Sequence, residues 1–198
     1  MPLLESRAPA DPLTLFRRWY REAEKAGAPQ PEAMTLATNG RAGPSARMVL
    51  FKGLEDGAFT FYTNYQSRKG RDLATSNRAA LVFYWSVTRH QVRVSGTVRK
   101  LARAESLAYY KSRPRGAQIS ALASRQSHVV ASRTALEHAV ADLERRYPHA
   151  VPLPADWGGY ALRPSWIEFW ESRADRLHDR LRYVRRPGGI WRVERLAP

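Results

Sequence analysis

The sequence predicts an α+β fold, mainly antiparallel β, as a single domain over residues 11–198. Three observations predict it. Strand-like runs follow one another through short turns between residues 34 and 99, and again after residue 159. Hairpin connections of that length join antiparallel neighbours, and so many in a row suggest a small barrel. No strand–helix alternation sets up a doubly wound parallel sheet; residues 103–147 instead read as one helical insert between the two groups of strands.

The elements follow in order. Residues 1–10 are rich in Pro and Ala, the composition of a short flexible arm. Asp11 and Pro12 open a helix as N-cap and first helical residue. Leu13, Phe16, Trp19, Tyr20 and Ala23 keep helical spacing, and Gly27 ends it. Residues 34–38 form a first strand, closed by Asn39-Gly40. Residues 47–52 are an apolar run bracketed by two cations. Alternation sends Arg47, Val49 and Phe51 to one face and Met48, Leu50 and Lys52 to the other. Asp56-Gly57 is a hairpin signal, so this run and residues 58–63 are expected to pair. Ser67 caps a helix reaching about residue 76. Residues 79–85 are expected to be a strand buried on both faces. Residues 90–99 alternate, with Val92, Val94 and Gly96 opposite Gln91, Arg93 and Ser95. Arg93 and Arg99 read as surface. Residues 103–112, 117–124 and 134–147 read as helices, and residues 151–154 as an extended linker. Residues 159–162, 166–170, 181–185 and 190–195 return to strands.

Composition narrows the chemistry. The chain has 198 residues and no cysteine. That removes disulfides, thiolate metal sites and a cysteine nucleophile, and it fits a cytoplasmic setting. The first thirty residues hold no long apolar stretch, so no signal peptide is expected. The apolar run at 79–85 is too short to span a bilayer. The net charge of +15 suits anionic partners. The arginines are dispersed along the whole chain, however, which argues for phosphorylated small molecules over nucleic acid. The five histidines lack metal-ligand spacing, so no metal is expected, and neither dinucleotide-binding nor P-loop glycine patterns occur.

The most telling local feature is Ser67 followed by Arg68 and Lys69. Cations in the first turn of a helix oppose its dipole. They are sensible there if an anion sits at the helix start, where free N–H groups also attract it. Around this feature lies a set of cations and amides beside aromatic rings, with no activated nucleophile. Such an inventory suits a planar cofactor with a phosphate tail that brings its own chemistry.

Residues 47–52 (Arg-Met-Val-Leu-Phe-Lys) and 61–69 (Phe-Tyr-Thr-Asn-Tyr-Gln-Ser-Arg-Lys) are joined by Tyr109-Tyr-Lys-Ser-Arg-Pro-Arg, Ser124-Arg-Gln-Ser, Pro152-Leu-Pro-Ala-Asp-Trp-Gly-Gly, Ile167-Glu-Phe-Trp and Arg176-Leu-His-Asp-Arg. In this order and spacing, over residues 11–198, they resemble the pyridoxamine 5′-phosphate oxidase family. The resemblance implies an FMN-binding split β-barrel of Greek-key type with flanking helices, working as a homodimer with FMN at the subunit interface. It implies that Arg47, Met48, Val49, Leu50, Phe51, Lys52, Tyr62, Thr63, Arg68, Lys69 and Gln91 contact FMN from one subunit. Gln126, Ser127, Trp170 and Arg180 complete the site from the other. Lys52, Tyr109 and Arg113 hold the substrate phosphate, and Arg176 and His178 lie over the pyridine ring as the catalytic pair. The implied reaction is oxidation of pyridoxamine or pyridoxine 5′-phosphate to pyridoxal 5′-phosphate, with O2 as acceptor and hydrogen peroxide released.

The sequence departs from the family at three places. Ala117 stands where a serine helps bind substrate phosphate, one hydroxyl donor fewer, worth about 0.5–1.5 kcal/mol. The arm at residues 1–10 lacks an Arg-and-Tyr segment that folds over substrate in relatives, and Gln30 replaces a common acidic residue. These departures keep a non-catalytic flavin or pyridoxal phosphate carrier among the readings. The related flavin oxidase of phenazine biosynthesis is a second enzyme reading, and a basic nucleic-acid-binding module a reading of another class.

Overall fold

The structure, a computed structural model, describes residues 3–198. Five α-helices and nine strands form in the order α1 (Pro12–Lys25), β1 (Ala33–Gly40), β2 (Gly43–Leu50), β3 (Leu54–Glu55), β4 (Ala58–Asn64), α2 (Arg68–Thr75), β5 (Arg78–Trp85), β6 (His90–Lys100), α3 (Arg103–Ser112), α4 (Arg115–Ala123), α5 (Arg133–Arg146), β7 (Trp157–Glu171), β8 (Asp179–Arg185) and β9 (Trp191–Arg195). The strands make one antiparallel sheet in the order β2-β1-β5-β6-β7-β4-β3, with β8 added to β7 and β9 to β8. The split comes from β7. Its first half pairs with β4 and its second half with β8, while β6 runs along nearly all of it.

The helix signals at the start of the chain hold. Asp11 caps α1 through its side chain, accepting from the Leu13 N–H at 3.0 Å. The apolar stripe of α1 enters the concave side of the sheet. Phe16 is fully buried and meets Phe51, Phe59 and Phe83 at ring distances of 5.4, 4.8 and 5.1 Å. Each such ring contributes roughly 1.5–3 kcal/mol by leaving water, which makes α1 the plug of the core.

Several expectations change. The mainly antiparallel split-barrel expectation holds, with flanking helices, but the sheet is an open path and does not close into the small barrel that the run of hairpins suggested. The expected hairpin between 47–52 and 58–63 does not form either. β2 pairs with β1, Arg47 opposite Leu36, and β4 pairs with the two-residue β3 through Asp56-Gly57. Asp56 and Gly57 are both left-handed there, at φ 47° and 74°, so the turn chemistry was legible and the partner strand was not. Gly53, at φ 129°, bends the chain between the two pairings. The Lys52 N–H to Thr60 O and Thr60 N–H to Gly53 O bonds, at 2.9 and 3.0 Å, tie the segment after β2 to β4, and the Thr60 hydroxyl also donates to the Gly53 carbonyl at 3.1 Å.

Residues 159–162 and 166–170 belong to a single strand, because Pro164 sits at a register irregularity opposite Gly96. A missing N–H costs little at a bulge. A Cβ on Gly96 would run into the Arg163 carbonyl. β5 alternates: Ala79, Leu81, Phe83 and Trp85 are buried, while Tyr84 on the other face is 60% exposed. Residues 3–10 are docked and not a loose arm. Leu3 is buried and its N–H bonds the Asp179 carboxylate, Arg195 pairs with Glu5, and the Tyr183 hydroxyl donates to the Pro9 carbonyl. Residues 1 and 2 lie outside the described residues. Among the described residues no helix is long and apolar enough to cross a membrane.

Candidate active site

The start of α2 is the first part of the site. The Ser67 side chain caps it, accepting from the Gly70 N–H at 3.3 Å. Gly70 is required there because a Cβ would meet the Tyr65 carbonyl. Lys69, in the first turn, is only 7% exposed. Its Nζ donates to Thr63 Oγ1 at 3.2 Å, Gln126 Oε1 at 3.2 Å and Ser67 Oγ at 3.5 Å. All three acceptors are neutral. Burial, and then the nearby Arg47 charge, push the ammonium down to about 8 from its usual 10.5. Arg47 donates to Thr38 Oγ1 at 2.6 Å, Ser45 Oγ at 2.8 Å and the Leu36 carbonyl at 3.2 Å. Its counter-charge is Asp72 of α2, at 3.7 Å. Burial also lowers the Arg47 pKa. Arg68, exposed, adds a third cation at the same helix start. Three cations against one carboxylate, around free helix N–H groups, form a site for an anion.

A cleft of ≈ 280 Å³ opens beside it, walled by Met48, Val49 and Leu50 on one side and by aromatic rings on the other. Tyr62 stacks on Tyr109 at 3.8 Å and lies nearly parallel to Trp157 at 5.7 Å. The Arg113 guanidinium lies 4.8 Å from the Trp157 ring, and Lys52 Nζ 5.9 Å from Tyr109. Arg113 closes α3 in an extended conformation, as a residue before proline must. Gln118 holds its carbonyl at 2.8 Å and is held in turn by Tyr110, whose hydroxyl donates to the Gln118 carbonyl. Arg113 Nη1 is nonetheless buried with no hydrogen-bond partner. A buried guanidinium N–H left empty is costly, and the stacked rings around it leave an anion as its natural partner. Phe51, expected at the cofactor, points instead into the core between Phe16 and Phe59.

A second group lies elsewhere on the sheet. Gln91, Trp170 and Arg180 stand opposite one another across β6, β7 and β8. The His178 ring is 4.7 Å from Trp170. His178 Nδ1 accepts the Arg173 backbone N–H at 3.1 Å, so the neutral ring carries its proton on Nε2. Arg176 is exposed at the end of a short turn where it and Asp175 are both left-handed, at φ 60° and 54°. Gln91 is opposite Tyr84 of β5, β5 pairs with β1, and Leu50 of β2 is opposite Ala33 of β1, so β8 and β2 are five places apart in the sheet order. One chain does not bring the two groups together.

The grouping implied by the resemblance is also redrawn. Gln126 joins Lys69 and Thr63 of its own chain, where Thr63 Oγ1 donates to it at 2.9 Å. Ser127 follows it, exposed, at φ 71°. Gln91 stands with Trp170. The reading of the sequence assigned no role to Trp157, Gln118, Asp72 or Glu168. Trp157 and Glu168 lie inside runs that carry the family resemblance. Asp72 and Gln118 act only through tertiary contacts. Arg93 is not a free surface charge but pairs with Glu168 at 3.1 Å.

Comparison with known proteins identifies the family. Residues 20–147 match the family described as pyridoxamine 5′-phosphate oxidase, and residues 157–198 match the pyridoxine 5′-phosphate oxidase C-terminal dimerisation region. The chain is 49% identical to a pyridoxine/pyridoxamine 5′-phosphate oxidase of Cupriavidus metallidurans, over 99% of this chain and 93% of the relative. It is 53% identical to one of Salinibacter ruber, over 95% and 89%. Among solved structures it is similar to PhzG from Burkholderia lata in complex with tetrahydrophenazine-1-carboxylic acid, with TM-score 0.92 and 35% identity over 98% of this chain and 95% of that one. An FMN-binding protein related to pyridoxamine 5′-phosphate oxidase, from Nostoc punctiforme, shares the fold at TM-score 0.77 and 19% identity, covering 96% of this chain and all of that one. With both halves matched and half of all positions shared over nearly its whole length, the chain belongs to the pyridoxamine 5′-phosphate oxidase family, a family of oxidoreductases.

Proposed function

We propose that this protein is a cytoplasmic, FMN-dependent oxidase that converts pyridoxamine or pyridoxine 5′-phosphate to pyridoxal 5′-phosphate, acting as a homodimer with FMN between the subunits. The observation that carries this reading is the pair of separate cationic positions: Lys69 with Arg47 and Arg68 at the α2 start, and Arg113 with its empty Nη1 over Trp157. FMN and substrate each bring one phosphate. Bound FMN would supply the two-electron chemistry at the substrate carbon, with O2 as the final acceptor.

The residues divide the labour. Lys69, Arg68 and the first N–H groups of α2 hold the cofactor phosphate, with Arg47 behind them. Gln126 and Thr63 keep Lys69 aimed at it. Arg113, Tyr109 and Lys52 hold the substrate phosphate, Arg as a flat fork and Lys as a point charge. Trp170, Gln91, Arg180, His178 and Arg176 come from the second subunit, laid face to face on the sheet so that they cover the first subunit's cleft. His178, with its proton on Nε2, donates to the pyridine substituents, and Arg176 supplies charge beside it. Positioning of this kind accounts for most of the rate gain in a reaction whose chemistry belongs to the cofactor. The alcohol and O2 give aldehyde and hydrogen peroxide; the amine, with water, gives the same aldehyde and peroxide plus ammonia.

The test is an absorbance spectrum of purified protein loaded with FMN, followed by anaerobic pyridoxine 5′-phosphate. Bleaching of the flavin band, its return with air, and one peroxide per aldehyde are expected. A flavin band that stays unchanged removes this substrate. The likeness to PhzG favours one second reading, oxidation of a reduced phenazine carboxylic acid, which the same cuvette checks with tetrahydrophenazine-1-carboxylic acid. The orphaned Arg113 N–H, suited to a phosphate, weighs against it.

A further inference from the structure

Glu168 lies on β7 two residues before Trp170, on the same face, and is 3% exposed. A carboxylate so buried requires compensation. Two guanidiniums provide it. Arg93 of β6 donates to Oε2 at 3.1 Å, and Arg180 of β8 donates to Oε1 through both Nε, at 2.9 Å, and Nη2, at 2.8 Å. The Arg180 Nη1 is fixed from the other side by the Ala197 carbonyl at 2.8 Å. The guanidinium is therefore clamped on two edges, and its remaining N–H groups, on the residue opposite Trp170 in the sheet, are left for a ligand. Arg93 is anchored separately, its guanidinium 5.6 Å from the Trp166 ring.

Resting on the reading of Arg180 as a flavin contact, we propose that Glu168 is a positioning residue for the cofactor, holding the Arg180 guanidinium in the one orientation that presents its remaining N–H groups. The carboxylate also sets the local charge. With Glu168, the two arginines carry one net positive charge; without it they carry two. Glu168 thus governs both where Arg180 points and how strongly the sheet face attracts the electron-rich, reduced flavin.

A double-mutant cycle on FMN affinity tests this, using apo-protein titrated with FMN and read by quenching of flavin fluorescence. Glu168→Gln keeps the shape and loses the charge; Arg180→Met removes the group it holds. Each single change is expected to weaken FMN roughly tenfold, the range of cost for a misplaced contact. The double variant is expected to be no weaker than Arg180→Met alone, because Glu168 acts through Arg180. The flavin midpoint potential of Glu168→Gln is expected to rise, a shift that a purely structural role would not produce. Additive losses, or a wild-type Kd and potential in Glu168→Gln, overturn the proposal. Arg93→Met supplies an independent arm: affinity within about threefold of wild type supports action through Arg180, and an affinity as low as that of Glu168→Gln overturns it. Wild-type protein that takes up no FMN marks the failure of the flavin reading itself, which these comparisons among variants keep distinct.

Discussion

Lys69 shows how one side chain ties stability to binding. An ammonium surrounded by neutral oxygens is expensive to bury, and its depressed pKa measures that expense. Unfolded, Lys69 titrates near 10.5; folded, at about 8. Between those values the unfolded chain binds more protons, so the apo-protein gains stability as pH rises, by on the order of 3 kcal/mol across the window. Lys69→Met is expected to be more stable than wild type at pH 7 and to lose this rise, as read by urea unfolding of both apo-proteins at several pH values. The same substitution is expected to weaken FMN binding. In the wild type, FMN affinity should fall about tenfold between pH 7 and 9, as the empty site loses the proton an anion would retain. His90 is a second base depressed by burial. Stacked on Trp19 at 3.9 Å, it is held down to about 4 by burial, then by Arg173 and Arg18. Burial there outweighs Glu22 and Glu171, whose carboxylates stand 4.0 and 3.9 Å from the ring.

At the level of elements, β7 decides the architecture. Fifteen residues serve β4 at one end and β8 at the other, and the change of partner occurs around Pro164. Gly96 makes the crossing workable, since its Cα faces the Arg163 carbonyl with no space for a Cβ. Gly96→Ala is expected to destabilise the fold by about 2 kcal/mol or more, a clash against backbone that cannot rotate away. Chemical unfolding should show a lower midpoint with an unchanged denaturant slope. A cost below about 0.5 kcal/mol, the level of an ordinary surface change, would mean that the crossing tolerates a bulkier residue. The α2 start depends on a parallel device: Gly70 lets the helix approach Tyr65 closely enough for Ser67 to cap it.

Across the whole molecule, one sheet face stays open. Met48 is 61% exposed and Tyr84 60%, with Leu50 also exposed, although all are large hydrophobic residues. Such a contiguous surface on a chain that matches a dimerisation region calls for a partner. In the proposed function, face-to-face pairing of two copies would bring together groups that lie on strands five places apart in the sheet order. Sedimentation is expected to give twice the chain mass of 22.5 kDa. Tyr84→Glu, which places a charge in the paired face, is expected to yield the 22.5 kDa species and to lose FMN affinity with it. A Tyr84→Glu protein that is monomeric yet binds FMN as tightly as wild type would place the whole flavin site within one subunit.

Local chemistry was legible wherever a signal acts over a few residues. Asp11, Ser67, Asp56-Gly57 and the alternation of residues 90–99 act through their own backbone, and they read correctly from the chain alone. The two cations in the first turn of α2 were legible for the same reason, since charge at a helix start has few uses. Tertiary structure decided the rest. The pairing of β2 with β1, the unbroken β7, the turn of Phe51 into the core and the placing of Gln126 on Lys69 each depend on residues far along the chain. So does the clamp on Arg180, whose buried Glu168 looks in sequence like any polar residue of a strand. Period-two patterning says which side chains share a face, but hydrogen-bond ladders are blind to side chains, and only packing selects which strand lies next to which.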